Sequence, residues 1–202
     1  MSEYPQCKNE CFSHHHCQTK HRRGPSSFAM NDPELVFGAL KLKEGDVFLD
    51  LGCGSGDYAL YASRLVGDSG TVYALDIGEE VVSGLTKAVA AQGVTNLKAW
   101  VSDITRPLPI ADHSVAVCLM ATVLHTMETT QNRGLFGEIR RVLKPGGRVA
   151  VIECQKENLS FGPPLAMRLS PEELEDLIAP VGFEKIHLVN LGYNYLIQFG
   201  VK

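Results

Sequence analysis

The chain has 202 residues, 45% of them hydrophobic, which is enough for a single domain with a sizeable core. Its formal net charge is -4, and this acidic balance disfavours a nucleic-acid-binding surface. No apolar run is long enough to span a bilayer, and the N-terminus lacks the apolar stretch of a signal peptide, so we expect a cytoplasmic protein. Nothing in the composition indicates an oligomeric state.

Residues 1–30 differ in character from residues 31–202, and we treat them as a head that precedes the main domain. The head contains Cys7, Cys11, Cys17 and His21, separated by three, five and three residues. Thiolates and imidazoles of this number suit a tetrahedral zinc site. The spacing is not that of a two-residue zinc knuckle, so an exposed polar head without metal is the alternative.

From residue 32 onward, short apolar runs alternate with helical patterns. In chain order these patterns predict a helix at 32–42, a strand at 47–51, a helix at 58–66, a strand at 71–75, a helix at 81–91, strands at 97–101 and 114–121, a helix at 132–143, a turn at 145–147 and a strand at 148–153. Apolar strands that alternate with helices are typical of a parallel sheet covered on both faces. We therefore predict a doubly wound α/β domain.

The C-terminal part breaks this alternation. Ser170 followed by Pro171 and two glutamates has the pattern of a capped helix, and Gly182 is expected to end that helix. Two strands are then predicted at 183–191 and 193–201. Because so few residues separate them, these strands should form a hairpin.

The run "DLGCGSGD", residues 50–57, lies between the first strand and its helix, where doubly wound folds bind ligands. It lacks the Lys-Ser/Thr pair of a P-loop. Counting from Gly52, the sixth position is Asp57 rather than the glycine of a dinucleotide fingerprint. A carboxylate at a helix N-terminus also occupies the place where pyrophosphate is held. These features favour a nucleoside cofactor with a cationic tail over one that carries phosphate.

The same run resembles motif I of the class I S-adenosylmethionine-dependent methyltransferases. Further matches follow in the expected order: "VYALDIG" around Asp76, "VSDITRPLP" around Asp103 and "RRVLKPGGRVAVIE", which covers the turn into the fifth strand. The chain is most similar to the small ubiquinone/menaquinone-type members, the methyltransferase type 11-like group. The resemblance implies a Rossmann-like sheet of seven strands, mostly parallel with an antiparallel last strand. It also implies that the end of the head and the entry segment "FAMNDPELVF", residues 28–37, fold over the cofactor as a lid.

The resemblance also implies a set of S-adenosylmethionine contacts. Asp50 would take the methionine ammonium group, Asp76 would accept bonds from both ribose hydroxyls, and Asp103 would bind the adenine amino group. The full set of expected cofactor-binding residues is Asp50, Gly52, Cys53, Gly54, Asp76, Ile77, Asp103, Ile104 and Ala121. Each carboxylate also has a purely structural alternative, such as a turn role for Asp103.

Methyl transfer to a small molecule is the activity that this resemblance implies. Such a transfer needs no catalytic base, but if the accepting atom carries a proton, the candidate to take it is His125, which follows the fourth strand in "MATVLHTM". A histidine that only hydrogen-bonds in a helix start is the alternative. One alternative activity is arsenite or thiol methylation by the head cysteines, although no cysteine stands at 124–126, where arsenite enzymes carry one. A second alternative is a nucleoside- or metal-sensing binding module without catalysis.

Overall fold

The computed structural model describes residues 26–127 and 129–202. The strands are β1 Val47–Leu51, β2 Thr71–Asp76, β3 Leu97–Val101, β4 Val115–Ala121, β5 Leu143–Cys154, β6 Phe183–Asn190 and β7 Asn194–Val201. The α-helices are α1 Pro33–Leu40, α2 Asp57–Val66, α3 Glu79–Ala91, α4 Thr129–Val142 and α5 Pro171–Ile178. Most of these bounds lie within a few residues of the predicted ones.

In the described part of the chain, seven strands form one sheet in the order β3-β2-β1-β4-β5-β7-β6. Strands β1 to β5 pair in parallel, whereas β7 is inserted antiparallel between β5 and β6. The chain reverses its winding direction between β1 and β4, which places the loops after these strands at a topological switch point. The predicted doubly wound, mostly parallel sheet with its antiparallel last strand is confirmed.

Two apolar layers cover the sheet. One face packs against α4 and α5, through residues such as Phe136 and Leu174, and the other packs against α1, α2 and α3, through residues such as Phe37 and Leu85. Strand β4 lies at the centre and is buried along nearly its whole length, as expected for a parallel strand covered on both sides. The side chains available for chemistry are therefore those at the strand ends.

Local signals in the sequence set the helix ends. Asp32 caps α1 by accepting a hydrogen bond from the backbone N–H of Glu34 at 2.9 Å. The predicted capping box of α5 is present: the hydroxyl of Ser170 accepts from the backbone N–H of Glu173, and the Glu173 carboxylate accepts from the backbone N–H of Ser170. Strand β5 begins earlier than predicted, at Leu143, and the predicted turn at 145–147 is a bulge within it: residues 144–147 do not pair with β4, and Gly146 has a φ of +73°.

Among the residues that the structure describes, no helix has the length and apolar character needed to cross a membrane.

Candidate functional site

The glycine loop that joins β1 to α2 bends toward the neighbouring strand β2. The backbone N–H groups of Gly52 and Cys53 both donate to the carbonyl of Leu75, at 2.8 and 3.0 Å. Gly52 has a φ of +71°, and a Cβ at this position would stand 2.6 Å from Cγ2 of Val123. Both the backbone conformation and the lack of space therefore exclude a side chain here. At Gly54 a Cβ would meet no atom within 4 Å, which leaves open space where a ligand can approach the backbone.

Asp50, at the end of β1, is a carboxylate in an apolar setting. Its side chain is almost completely buried, and Oδ2 has no hydrogen-bond partner among the described residues. Burial, and then the nearby Asp76 carboxylate, raise the pKa of Asp50 from the ordinary 3.8 to about 7. A buried carboxylate with an unfilled acceptor position is suited to a cationic ligand, which would supply both the charge and the missing hydrogen bond.

Asp76, at the end of β2, ties two loops together. Its Oδ2 accepts from the backbone N–H of Gly54 at 3.0 Å, and its Oδ1 accepts from the backbone N–H of Gly78 at 2.8 Å. Each carboxylate oxygen can accept more than one bond, so the pair remains suited to a diol. The next residue, Ile77, is 65% exposed, an unusual position for a large apolar side chain directly after a buried carboxylate.

Asp103 and Ile104 follow β3 at the same edge of the sheet. Oδ1 of Asp103 accepts from both the backbone N–H and the hydroxyl of Thr105, at 2.9 and 2.7 Å. These two bonds are the main reason that the pKa of Asp103 is lowered. Ile104 is half-buried and packs against the core. Asp103 therefore has the turn geometry that was its structural alternative, and its expected contact with an adenine amino group stays a prediction.

The loop after β4 carries His125 and is held by a residue of β5. Ala121 ends β4 half-buried, and the following residue, Thr122, has a φ of +56°. Glu153 accepts from the backbone N–H of Leu124 at 2.8 Å through Oε1, and its Oε2 lies 2.9 Å from Nδ1 of His125. The side chain of Glu153 is 1% exposed and that of His125 is 16% exposed. A histidine backed by a buried carboxylate is thus placed at the same sheet edge as the glycine loop.

Sequence reasoning missed Glu153, although a signal was present. Glu153 is the one acidic residue in "RVAVIE" and ends that apolar strand, just as Asp50 ends "VFLD" and Asp76 ends "VYALD". In a parallel sheet such residues all reach the carboxyl edge, where ligands bind.

Arg168 was also missed, because its partners are backbone carbonyls that no motif reveals. Its guanidinium is buried and donates to the carbonyls of Gln155, Glu157, Phe161 and Pro163 at 2.7 to 3.1 Å. The loop that it holds follows β5 and lines a cavity of about 240 Å³. Phe161 of this loop contacts Tyr193 edge-on, with ring centroids 4.7 Å apart, and both side chains are exposed. The loop therefore offers apolar side chains near the end of β5.

The N-terminal segment at 26–31 packs against the start of α2. Asn31 donates through Nδ2 to the hydroxyl of Tyr58 at 2.9 Å, and it accepts from Nδ2 of Asn194 at the same distance. The ring of Phe28 meets that of Tyr58 edge-on, with a centroid distance of 5.0 Å. These contacts hold the segment beside the helix that begins at the glycine loop.

The predicted zinc ligands Cys7, Cys11, Cys17 and His21 lie outside the described residues. Within residues 26–127 and 129–202, no three His, Cys, Asp or Glu side chains gather as a metal site. The cysteines of this part, Cys53, Cys118 and Cys154, are all buried. Burial raises the pKa of the Cys118 thiol well above its usual range, so Cys118 inside β4 is not a thiolate at neutral pH.

Comparison with known proteins agrees with this geometry. A profile of the family described as "Methyltransferase domain" matches residues 42–181, more than half of the chain. The chain belongs to the methyltransferase domain family. This methyltransferase domain is similar in structure to a SAM dependent methyltransferase from Aquifex aeolicus, with a TM-score of 0.80 and 31% identity, over 89% of this chain and 94% of the other.

Two curated relatives show how far the sequence similarity extends. The methyltransferase domain is 33% identical over 150 residues to a 2-phytyl-1,4-naphtoquinone methyltransferase of Trichormus variabilis, which covers 68% of this chain and 65% of the relative. It is 29% identical over 154 residues to an arsenite methyltransferase of Halobacterium salinarum, which covers 71% of this chain and 39% of the relative. The chain thus spans less than two thirds of the length of either relative. The likeness to quinone methyltransferases that the motifs indicated is confirmed.

Proposed function

We propose that the chain transfers a methyl group from S-adenosylmethionine to a small-molecule acceptor. The observation that carries the proposal is the pair of buried carboxylates, Asp50 and Asp76, on either side of a glycine loop with open space at Gly54. Oδ2 of Asp50 lacks a partner within the described ranges and fits an ammonium group. Membership of the methyltransferase domain family supports the same assignment.

The residues at the sheet edge fit the cofactor's three parts. S-adenosylmethionine would supply an electrophilic methyl group on a sulfonium. Asp50 would hold the ammonium end, with the backbone of Gly52, Cys53 and Gly54 close to the amino-acid part. Asp76 would accept from the ribose hydroxyls while it keeps its bonds to the backbone.

The other expected contact residues would surround the adenine ring and the transferred methyl group of S-adenosylmethionine. Ile77 and Ile104 would flank the adenine ring, Asp103 would bind its amino group, and Ala121 would lie beside the reacting centre at the end of β4. Methyl transfer is a displacement in line, so the main task of these residues is alignment, which is worth on the order of 7 to 11 kcal/mol.

His125 would receive the acceptor's proton as the new bond to carbon forms. It stands at the same sheet edge as the cofactor contacts, and its side chain is in part exposed, so the ring can reach a bound molecule. The proton transfer leaves the methylated product neutral and the imidazole protonated.

We propose that the acceptor is a ring compound with large apolar surface, of the quinol class. Apolar side chains on the loop after β5 and beside it are exposed, namely Phe161, Leu165, Met167 and Tyr193. The naphthoquinone named for one relative is an acceptor of this chemistry. The arsenite alternative depends on Cys7, Cys11 and Cys17, which lie outside the described residues.

Calorimetry tests the cofactor assignment directly. We expect the full chain to bind S-adenosylmethionine and its demethylated product with micromolar affinity, in the range of ordinary enzyme substrates. Asp76→Ala should abolish detectable binding, because the diol loses both acceptors. Asp57→Asn is the matched control: this carboxylate lies on the same loop but accepts from Ser55 at 2.6 Å, so binding should persist.

Two results would contradict the proposal. The first is a wild-type chain that binds neither compound, which excludes the cofactor. The second is tight binding without formation of S-adenosylhomocysteine in the presence of a panel of quinols, which would favour the binding module.

A further inference from the structure

Glu153 is a buried carboxylate against which three nitrogen atoms of one short loop lie. It accepts from the backbone N–H of Leu124 at 2.8 Å and from that of His125 at 3.4 Å, and it meets Nδ1 of His125 at 2.9 Å. An ionised carboxylate taken out of water is costly unless its oxygens are bonded. Three donors from one loop are an arrangement that offsets this cost and fixes the loop at the same time.

The two oxygens of Glu153 have separate tasks. Oε1 is held by the backbone of the loop, through the shorter bond to Leu124, so the side chain cannot rotate without losing it. Oε2 is thereby fixed in front of Nδ1 of His125. Because an ionised carboxylate only accepts, the hydrogen in this contact belongs to Nδ1 when Glu153 is ionised.

We propose that Glu153 is a positioning residue that sets the tautomer of His125. Neutral His125 then carries its hydrogen on Nδ1, and Nε2 is left with the lone pair that can take a proton. This role rests on the proposed function, in which the acceptor's proton goes to Nε2 while the acceptor bonds to the methyl carbon and the bond from carbon to sulfur breaks. The Nδ1–H bond to Glu153 stays in place throughout and stabilises the imidazolium that forms.

The other ionisable groups near Glu153 bond to backbone carbonyls rather than to His125. Tyr195 lies opposite Glu153 in the pairing of β5 with β7, yet its hydroxyl donates to the carbonyl of Leu169 at 2.9 Å. Arg168 directs four hydrogen bonds to carbonyls of the loop after β5. Among the described residues, the side-chain nitrogen that meets Oε2 of Glu153 is Nδ1 of His125, at 2.9 Å.

The carboxylate of Glu153 also fixes the position of His125, the proposed proton acceptor, near the glycine loop. Val123 stands between Thr122, whose backbone N–H donates to the carbonyl of Ile152 at 2.7 Å, and Leu124, which Glu153 holds. A side chain at Gly52 would collide with Val123, so the two loops are in close packing. Glu153 holds Leu124 and His125 while Ile152 holds Thr122, so β5 fixes His125 relative to the loop that would carry the methionine end of the cofactor.

The tautomer of His125 can be measured without knowing the acceptor. In a ¹⁵N-histidine-labelled full chain at pH 8, long-range ¹H–¹⁵N spectra distinguish a nitrogen that carries hydrogen from one that does not, and His125→Gln assigns the signals. We expect Nδ1 protonated and Nε2 unprotonated. A wild-type spectrum with the hydrogen on Nε2, or with the two forms in fast exchange, overturns the proposal even if no variant folds.

Glu153→Gln gives the second test. With Oε1 of the amide kept on the N–H of Leu124, the amide NH₂ faces Nδ1 and donates to it, so the hydrogen of His125 should move to Nε2. An unchanged spectrum in this variant overturns the role. Glu138→Gln is the control, since Glu138 also accepts from a backbone N–H, that of Leu108 at 2.9 Å, and should leave the His125 signals unchanged.

Calorimetry with S-adenosylhomocysteine separates this proposal from the proposed function. Binding to Glu153→Gln should stay within about threefold of wild type, while turnover of an accepted quinol should fall by about 10²-fold or more, as expected when a general base is lost. A wild-type chain that does not bind the nucleoside overturns the proposed function and leaves the tautomer result standing. A tautomer result against expectation overturns the Glu153 role and leaves the cofactor site standing.

Discussion

Replacing Asp50 by asparagine should make the ligand-free protein more stable above neutral pH. Asp50 has its pKa raised from the ordinary 3.8 to about 7, so the folded state holds a proton that the unfolded state releases near pH 4. The stability of the wild-type chain therefore falls as the pH rises from about 4 to about 7 and stays low above it. The pKa of Asp50 is about three units higher in the folded state than in the unfolded state, which lowers the free energy of unfolding by about 4 kcal/mol at pH 8.

Urea denaturation at two pH values measures this cost. The amide group of asparagine has nearly the same shape as the carboxyl group but does not titrate, so Asp50→Asn should gain free energy of unfolding relative to wild type. Between pH 5 and pH 8 this gain should grow by about 3 kcal/mol. Asp103→Asn is the control: the pKa of Asp103 is lowered, so this group stays ionised over the whole interval and the difference should be flat.

The same ionisation predicts the pH dependence of cofactor binding. If the ammonium group binds ionised Asp50, affinity for S-adenosylhomocysteine should rise by about tenfold per pH unit between about pH 5.5 and 6.5, where Asp50 is mostly protonated. Asp50→Asn should bind more weakly and lose this dependence. Equal denaturation profiles for the two proteins, or a pH-independent affinity in the wild type, would show that Asp50 does not titrate in this way.

Three further substitutions test separate parts of the site. Gly52→Ala places a side chain at a positive φ and 2.6 Å from Val123, so it should lower the free energy of unfolding by about 1–3 kcal/mol. It should also weaken nucleoside binding in calorimetry, and a fully stable variant that binds normally would contradict this. Arg168→Met removes four hydrogen bonds to carbonyls and should speed amide hydrogen exchange within residues 155–167, with exchange elsewhere unchanged. Asn31→Ala removes the side-chain bonds to Tyr58, to Asn194 and to the carbonyl of Ser27 and should speed exchange at residues 26–31; unchanged exchange there would show that these bonds do not hold the segment.

The sequence predicted the sheet well because its signals are local. Apolar runs such as "VAVCLMA" in β4 and capping residues such as Ser170 act within a few positions of the chain, and both are present in the structure as expected. The turn predicted at 145–147 is present as a bulge, but the strand around it starts earlier than predicted for a nonlocal reason. Pairing of Leu143 with Val115 extends β5 backward past the Pro-Gly-Gly segment, and nothing in the local sequence indicates this pairing.

The site was predictable where a residue's role depends on its own strand, and less so where it depends on distant partners. Asp50 and Asp76 were found because each lies in a family motif near the end of its own strand, but the raised pKa of Asp50 depends on burial and on Asp76, which the fold brings together. Glu153 gains its role from groups on the loop after β4, and Arg168 gains its role from backbone carbonyls of the irregular segment after β5. Their importance is visible only when the distances are known.

A crystal structure of the full chain with S-adenosylhomocysteine would locate the cofactor relative to both carboxylates. We expect the amino group within hydrogen-bond distance of Oδ2 of Asp50, about 3 Å, and both ribose hydroxyls on the carboxylate of Asp76. We also expect the sulfur at the sheet edge that carries His125. A nucleoside bound elsewhere, or with its amino group away from Asp50, would contradict the proposed cofactor site.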